Sequence, residues 1–178
     1  HFEFAGRLSN IYSDGYVDRA STDLKSYFLQ GSYTDKNTLI KALAFGGKEK
    51  TYQAWYGLTA DELAANRRQN PYTYDNETDN YWQDHYQLHW NERLNANWST
   101  NIGLNYTRGK GYFEQFKEES SVHKYNGITT ATATSWDGNP ATDLIVRRWL
   151  DNHFYVFNGN VTYQKEKLEI VSGFSYSN

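Results

Sequence analysis

The chain has 178 residues, enough for one domain. It carries 18 Lys+Arg against 21 Asp+Glu, a net charge of −3, and no cysteine. The balanced, scattered charge gives no basic footprint for nucleic acid, and the lack of cysteine excludes a disulfide framework and thiolate chemistry. Aromatics make up 17% of residues although mean hydropathy is −0.87, a pairing that argues against disorder and asks for a sheet with one apolar and one wet face.

Alternation of period two is the main signal. In residues 2–12, Phe2, Phe4, Gly6, Leu8 and Tyr12 alternate with Glu3, Arg7, Ser9 and Ile11. Ser13, Asp14 and Gly15 read as a turn and residues 16–21 as a loop. In residues 24–34, Tyr27, Leu29, Gly31 and Tyr33 share a face opposite Ser26, Gln30 and Ser32, with Phe28 out of pattern. Residues 35–37 make a tight polar turn into a run over 38–55. There Leu39, Leu43 and Phe45 line one face and Ile40, Ala42 and Ala44 the other, so the facing of this run stays open.

Residues 59–68 predict a short helix capped by Thr59, with acids in its first turn. A polar loop with Pro71, Tyr72 and Tyr74 follows. The run over 81–93 is the cleanest: Trp82, Tyr86, Leu88 and Trp90 oppose His85, Gln87, His89 and Asn91. After a turn at 92–96, Trp98, Thr100, Ile102, Leu104 and Tyr106 face outward, and Ser99, Asn101, Gly103, Asn105 and Thr107 face a polar interior. Residues 109–148 are expected to form a long connection containing Trp136 and Pro140. The run over 149–163 sets His153, Tyr155, Phe157, Val161 and Tyr163 against Asn158, Asn160 and Thr162. A turn at 165–167 leads to Leu168, Ile170, Phe174 and Tyr176, opposite Glu169, Gly173 and Ser175.

Short and long connections therefore alternate, as in outer-membrane barrels. The runs exceed the usual globular strand of about 5–6 residues and match the roughly 9–11 that a tilted bilayer span needs. Aromatics close the apolar faces (Tyr12, Trp82, Trp90, Trp98, Tyr106, Tyr163, Tyr176), as interfacial belts would. No apolar run reaches the length of a transmembrane helix. The chain opens on alternating His1, Phe2, Glu3 and Phe4 and ends just after another alternating run, so both ends are expected to be cuts through a larger protein. The fold expected is all-β: about seven antiparallel up-and-down strands from a transmembrane barrel, long loops at one end, and a short helix in the first long loop.

Residues 7–21, 23–28 and 39–57 resemble barrel segments of TonB-dependent receptors of the Bacteroidetes type; Arg7-Leu8-Ser9-Asn10-Ile11-Tyr12 and Phe45-Gly46-Gly47-Lys48-Glu49-Lys50 carry the likeness. Beyond residue 57 the likeness is one of pattern. The resemblance implies a 22-stranded barrel around a plug domain in the bacterial outer membrane. It also implies import of a scarce nutrient: an iron complex such as a siderophore, cobalamin or an oligosaccharide. Its implied partners are the TonB complex, reached through a plug domain missing from these residues, outer-membrane lipid and a small-molecule nutrient.

His85 and His89 are the first candidates for chemistry. On a helix they would share a face and could hold zinc. On a strand they lie about 13 Å apart, too far for one ion with ligand bonds of about 2 Å. With Gln87 they read as lumen-facing polar residues open to plug or ligand. Tyr72, Tyr74 and Trp136, beside Tyr112 and Phe113, are candidate ligand contacts at the cell surface, since exposed aromatics are costly unless covered. Gly46-Gly47-Lys48 lacks phosphate-loop spacing, and no serine sits in a nucleophile elbow, so no enzyme, metal or cofactor is expected. The competing function is a soluble β-sheet carbohydrate-binding module that stacks sugars on the same aromatics.

Overall fold

A computed structural model describes residues 1–178. It is all-β, with 66% of residues in strand and 5% in helix. One antiparallel sheet holds β1 (Phe2–Ser13), β2 (Thr22–Thr34), β3 (Thr38–Tyr52), β4 (Thr78–Arg93), β5 (Trp98–Ser121), β6 (Ala133–Thr134), β7 (Pro140–Lys165) and β8 (Leu168–Ser177). Neighbours in sequence pair in up-and-down order, and the two-residue β6 lies against the start of β7. The sheet is open, with β1 at one edge and the short β6 together with β8, both paired to β7, at the other.

Local chemistry sets the turns. At residues 35–37, Asp35 Oδ1 accepts the backbone N–H of Asn37 and of Thr38, both at 2.8 Å. At residues 94–97, Asn95 Oδ1 does the same for Asn97 (2.9 Å) and Trp98 (3.1 Å). Each side chain substitutes for a backbone turn partner. Gly15 supplies a φ of +72° where the chain leaves β1. These short turns and the pair Glu166–Lys167 lie at one end of the sheet; residues 14–21, 53–77 and 122–139 lie at the other.

Three expectations need correction. Residues 109–148 are not a long connection: β5 runs 24 residues and β7 runs 26, paired out to Ser121 and Ala141, with a register shift between Lys117 and Ser120. Alternation continues there, but with Lys110, Tyr112 and Glu114 in place of aliphatic residues, so the hydrophobic period fades while the ladder persists. Tyr112 and Phe113 are consequently strand residues, and Pro140 starts a strand, where its missing N–H is tolerated. The helix α1 (Ala60–Ala65) has the expected Thr59 cap, with Glu62 closing a capping box, but ends three residues early.

Register divides the sheet into two faces, because directly opposed residues share a side. Three consecutive cross-strand rows of one face carry no charge, amide or aliphatic hydroxyl. They are Phe2–Tyr33–Ile40–Trp90–Ile102–Gly159–Phe174, then Phe4–Gly31–Ala42–Leu88–Leu104–Phe157–Tyr176, then Gly6–Leu29–Ala44–Tyr86–Tyr106–Tyr155. Ile40, Ala42 and Ala44 thus belong to the apolar face, and Leu43 and Phe45 to the other. Toward the short turns the next row, Thr38–Glu92–Thr100–Val161–Ser172, is mostly polar, and beyond it Trp98 and Tyr163 pack at 4.9 Å beside Ile170; at the opposite end of the band Tyr106 stacks on Tyr155 at 4.8 Å. Tyr176 sits mid-band rather than at its edge.

The sheet has almost no core of its own. Tyr52, Val122 and Ala141 are its only buried hydrophobic residues. A folded monomer of 20.8 kDa exposes about 8,900 Å², whereas this chain exposes 12555 Å². Phe4 and Leu8 on the apolar face are 82% and 84% exposed. The apolar face therefore needs cover from outside the sheet.

Candidate functional site

Behind the apolar band, the opposite face carries His85, Gln87 and His89. The His85 ring stacks on Phe45 at 4.7 Å, and its Nδ1 is hydrogen-bonded to Thr107 Oγ1 at 2.9 Å. His89 Nε2 is bonded to Gln87 Oε1 at 3.2 Å. The two imidazoles are thus held by different partners on one polar face and do not converge. Phe28, which broke the alternation, packs 6.3 Å from Phe45 and extends an aromatic shelf across β2, β3 and β4. Next to that shelf Ser26 and Gly47 floor a groove of about 440 Å³, with Tyr81 and Gln83 on its far side.

Tyr72, Tyr74 and Trp136, from two different connections, come together at the long-loop end. They line one groove of about 450 Å³ with Tyr56, Phe116 and Glu77. Tyr72 packs on Tyr56 at 5.1 Å and Tyr74 on Phe116 at 6.0 Å, while Trp136 stands 94% exposed. The turn carrying Trp136 is fixed by Gly138 at φ +81° and by Ser135 Oγ, which donates to the Asn139 carbonyl at 3.0 Å.

Under this groove lies a buried polar cluster built from distant parts of the chain. Glu114, 1% exposed, accepts Tyr74 Oη and Asn76 Nδ2 at Oε1, both at 2.7 Å, and Arg147 Nε at Oε2 at 2.5 Å. Gln53, fully buried, donates from Nε2 to the Glu114 carbonyl (3.1 Å) and accepts from Gln115 Nε2 (3.0 Å). Asn70 Nδ2 donates to the carbonyls of Asp18 and Gln53, both at 3.0 Å, and Arg19 reaches the carbonyls of Asn70 (2.9 Å) and Tyr72 (2.5 Å). These bonds pin residues 53–77 to residues 14–21 on one side and to the β5–β7 hairpin on the other. Buried groups satisfied in this way rigidify a loop core that has little apolar content.

The two buried glutamates titrate in opposite directions. Burial opposes ionisation of Glu114, but the bonds from Tyr74, Asn76 and Arg147 outweigh it and hold the carboxyl below its ordinary range. Burial dominates at Glu77, 3% exposed, and pushes its carboxyl up against weaker pulls from the Phe116 backbone and Lys117. Both lie at the long-loop end, outside the apolar band.

The Glu114–Arg147 pair and Gln53, Asn70 and Arg19 were not marked by the sequence pattern. Their partners are 17 to 62 residues away along the chain, and no local period reports such pairing. No protein-family model matches the chain, and no curated protein matches it.

Proposed function

We propose that this sheet is part of the wall of a β-barrel in the bacterial outer membrane, and that the barrel is a TonB-dependent receptor importing a scarce nutrient, an iron complex such as a siderophore. The observation that carries the reading is the apolar band with aromatic ends, backed by a polar face. Trp98 to Tyr106 spans about 27 Å of strand, or roughly 21 Å across a bilayer at a 40° tilt, against the ~25 Å apolar band of such barrels; within it the three wholly apolar rows cover about 10 Å, and the row Thr38–Glu92–Thr100–Val161–Ser172 separates them from Trp98. Short turns at one end and long connections at the other support the same orientation, long loops to the cell exterior. The word receptor rests on the likeness of residues 7–57 to that family and on the aromatic groove formed by Tyr72, Tyr74 and Trp136.

In this reading lipid covers Leu88 and Leu104, while His85, Gln87 and His89 face the lumen, toward plug or ligand. The outer groove meets the nutrient first. TonB supplies energy through a plug domain beyond these residues, so the chain contributes wall and loops rather than chemistry.

Two experiments test it. Refolded chain should need detergent or bilayer to stay monodisperse; a soluble monomer in plain buffer contradicts the wall. A ferric hydroxamate complex should quench tryptophan fluorescence, with Trp136→Phe removing a component of the quench. Quenching by a maltooligosaccharide and not by the iron complex would instead favour a carbohydrate ligand.

A further inference from the structure

Beyond the Tyr86–Tyr106–Tyr155 row, the same face passes through a row of mixed charge, Leu8–Tyr27–Gly46–Asp84–Arg108–His153, and turns basic in the two rows after it. Asn10–Lys25–Lys48–Trp82–Lys110–Asp151 is followed by Tyr12–Asp23–Lys50–Asn80–Tyr112–Trp149. Lys25 and Lys48 stand directly opposite each other on β2 and β3, an arrangement that costs stability unless an anion lies between them. Lys25 reaches only the exposed Asp23, at 3.2 Å; Asp23 also stands directly opposite Lys50, without an ion pair, and Lys48 pairs with no carboxylate. Lys110 is better served, with Asp151 at 3.5 Å and the Trp149 ring at 5.8 Å.

Position gives these lysines a partner. Lys48 follows Ala44, the last apolar residue on that face of β3, by four residues, about 10 Å along the membrane normal at a 40° tilt. The headgroup layer outside the hydrocarbon is about 5–8 Å deep on each side, so the Lys48 backbone lies just beyond it and the Lys50 backbone about 5 Å further out, and both side chains must reach back toward it. Lysine stems can lie along the apolar edge while the ammonium groups sit among phosphates. The short-turn end lacks such an excess: Lys36, Arg93, Lys165 and Lys167 are matched by Asp35, Glu92, Glu166 and Glu169.

We infer that Lys25, Lys48 and Lys50, flanked by Trp82, form a docking surface for phosphate-bearing lipid headgroups in the leaflet at the long-loop end. The inference rests on the wall reading above. It goes beyond that reading by giving one leaflet a specific anionic partner.

The test compares binding of the refolded full chain to phosphatidylcholine vesicles with and without phosphatidic acid. Three lysines at roughly fivefold each predict a preference for the anionic vesicles of about a hundredfold. Lys25→Gln/Lys48→Gln/Lys50→Gln should abolish that preference and leave binding to phosphatidylcholine unchanged. Lys36→Gln/Lys165→Gln/Lys167→Gln should leave both unchanged. All six are surface side chains, and strand content by circular dichroism verifies folding of each variant. No preference in the parent chain, or a preference that survives the first triple variant, overturns the inference while the wall stands. Loss of the preference in millimolar inorganic phosphate overturns it in favour of a soluble-anion site. Failure to bind phosphatidylcholine at all defeats the wall reading, and this inference with it.

Discussion

Glu114→Gln separates the polar loop core from the apolar band. The amide oxygen can still accept Tyr74 Oη and Asn76 Nδ2, which both bond Oε1. At Oε2 the substitution places an N–H against Arg147 Nε, so one charge-assisted bond of 2.5 Å becomes a donor facing a donor. Such a bond contributes about 1.5–3 kcal/mol. Arg147 is 51% exposed and can turn to water, which puts the loss in the lower half of that range, about 1.5–2 kcal/mol. Local opening should then become about tenfold to thirtyfold more frequent. Hydrogen exchange of the Gln53 amide, which donates to the Glu77 carbonyl at 2.8 Å, reads that opening directly. Exchange of the Leu88 and Leu104 amides should not change, because they lie in the band. Unaltered exchange at Gln53, or equal acceleration at Leu104, would refute the argument. Acid should mimic the substitution. The Glu114 carboxyl is held down in the folded state, so its contribution is complete above the ordinary glutamate range and is lost as pH falls through the depressed value. After correction for the slower intrinsic exchange in acid, protection of the Gln53 amide in the parent chain should fall as pH drops through that depressed value, and Glu114→Gln should show little further change there.

Glu77 should behave in the opposite sense. Its carboxyl is pushed up by burial, so its ionisation weakens the fold as pH rises through the raised value, and Glu77→Gln should slow loop opening at neutral pH. Gly111→Ala should destabilise the sheet by about 1–3 kcal/mol in urea titrations in micelles, because an added Cβ falls on the Asn80 carbonyl and lies 2.7 Å from Tyr81 Cα. Gly103→Ala, whose nearest neighbour would be His89 Nδ1 at 3.6 Å, should cost much less. Leu104→Arg should reduce insertion into phosphatidylcholine by about 2–4 kcal/mol, and Asn105→Arg, one residue away on the polar face, by far less.

What was legible in the sequence is what depends on local period. Tyr86, Leu88 and Trp90 could be separated from Gln87 and His89 because a strand alternates every residue, and Ile102 and Leu104 could be joined to them by the same rule. The turns at 35–37 and 94–97 were legible because Asp35 and Asn95 act within three residues of themselves. The facing of β3 was not, since Leu39 to Phe45 is apolar on both sides and only pairing with β2 and β4 decides it. Nor was the reach of β5 and β7 past Gly109, where charged alternation resembles a loop. At the site, Tyr72, Tyr74 and Trp136 were picked out as exposed aromatics, but the groove that joins them depends on Glu114 and Arg147, 33 residues apart in sequence.

The most direct measurement of the central claim uses the absence of cysteine, which lets single cysteines be placed without background. Spin labels at positions 86, 87, 88, 89, 102, 103, 104 and 105 in the bilayer-reconstituted chain would report contact with oxygen, which partitions into lipid, and with a water-soluble nickel chelate. The expected result is strict alternation, with oxygen dominant at 86, 88, 102 and 104 and nickel dominant at 87, 89, 103 and 105. Uniform water exposure, or lipid contact at 87 and 105, would contradict a membrane wall.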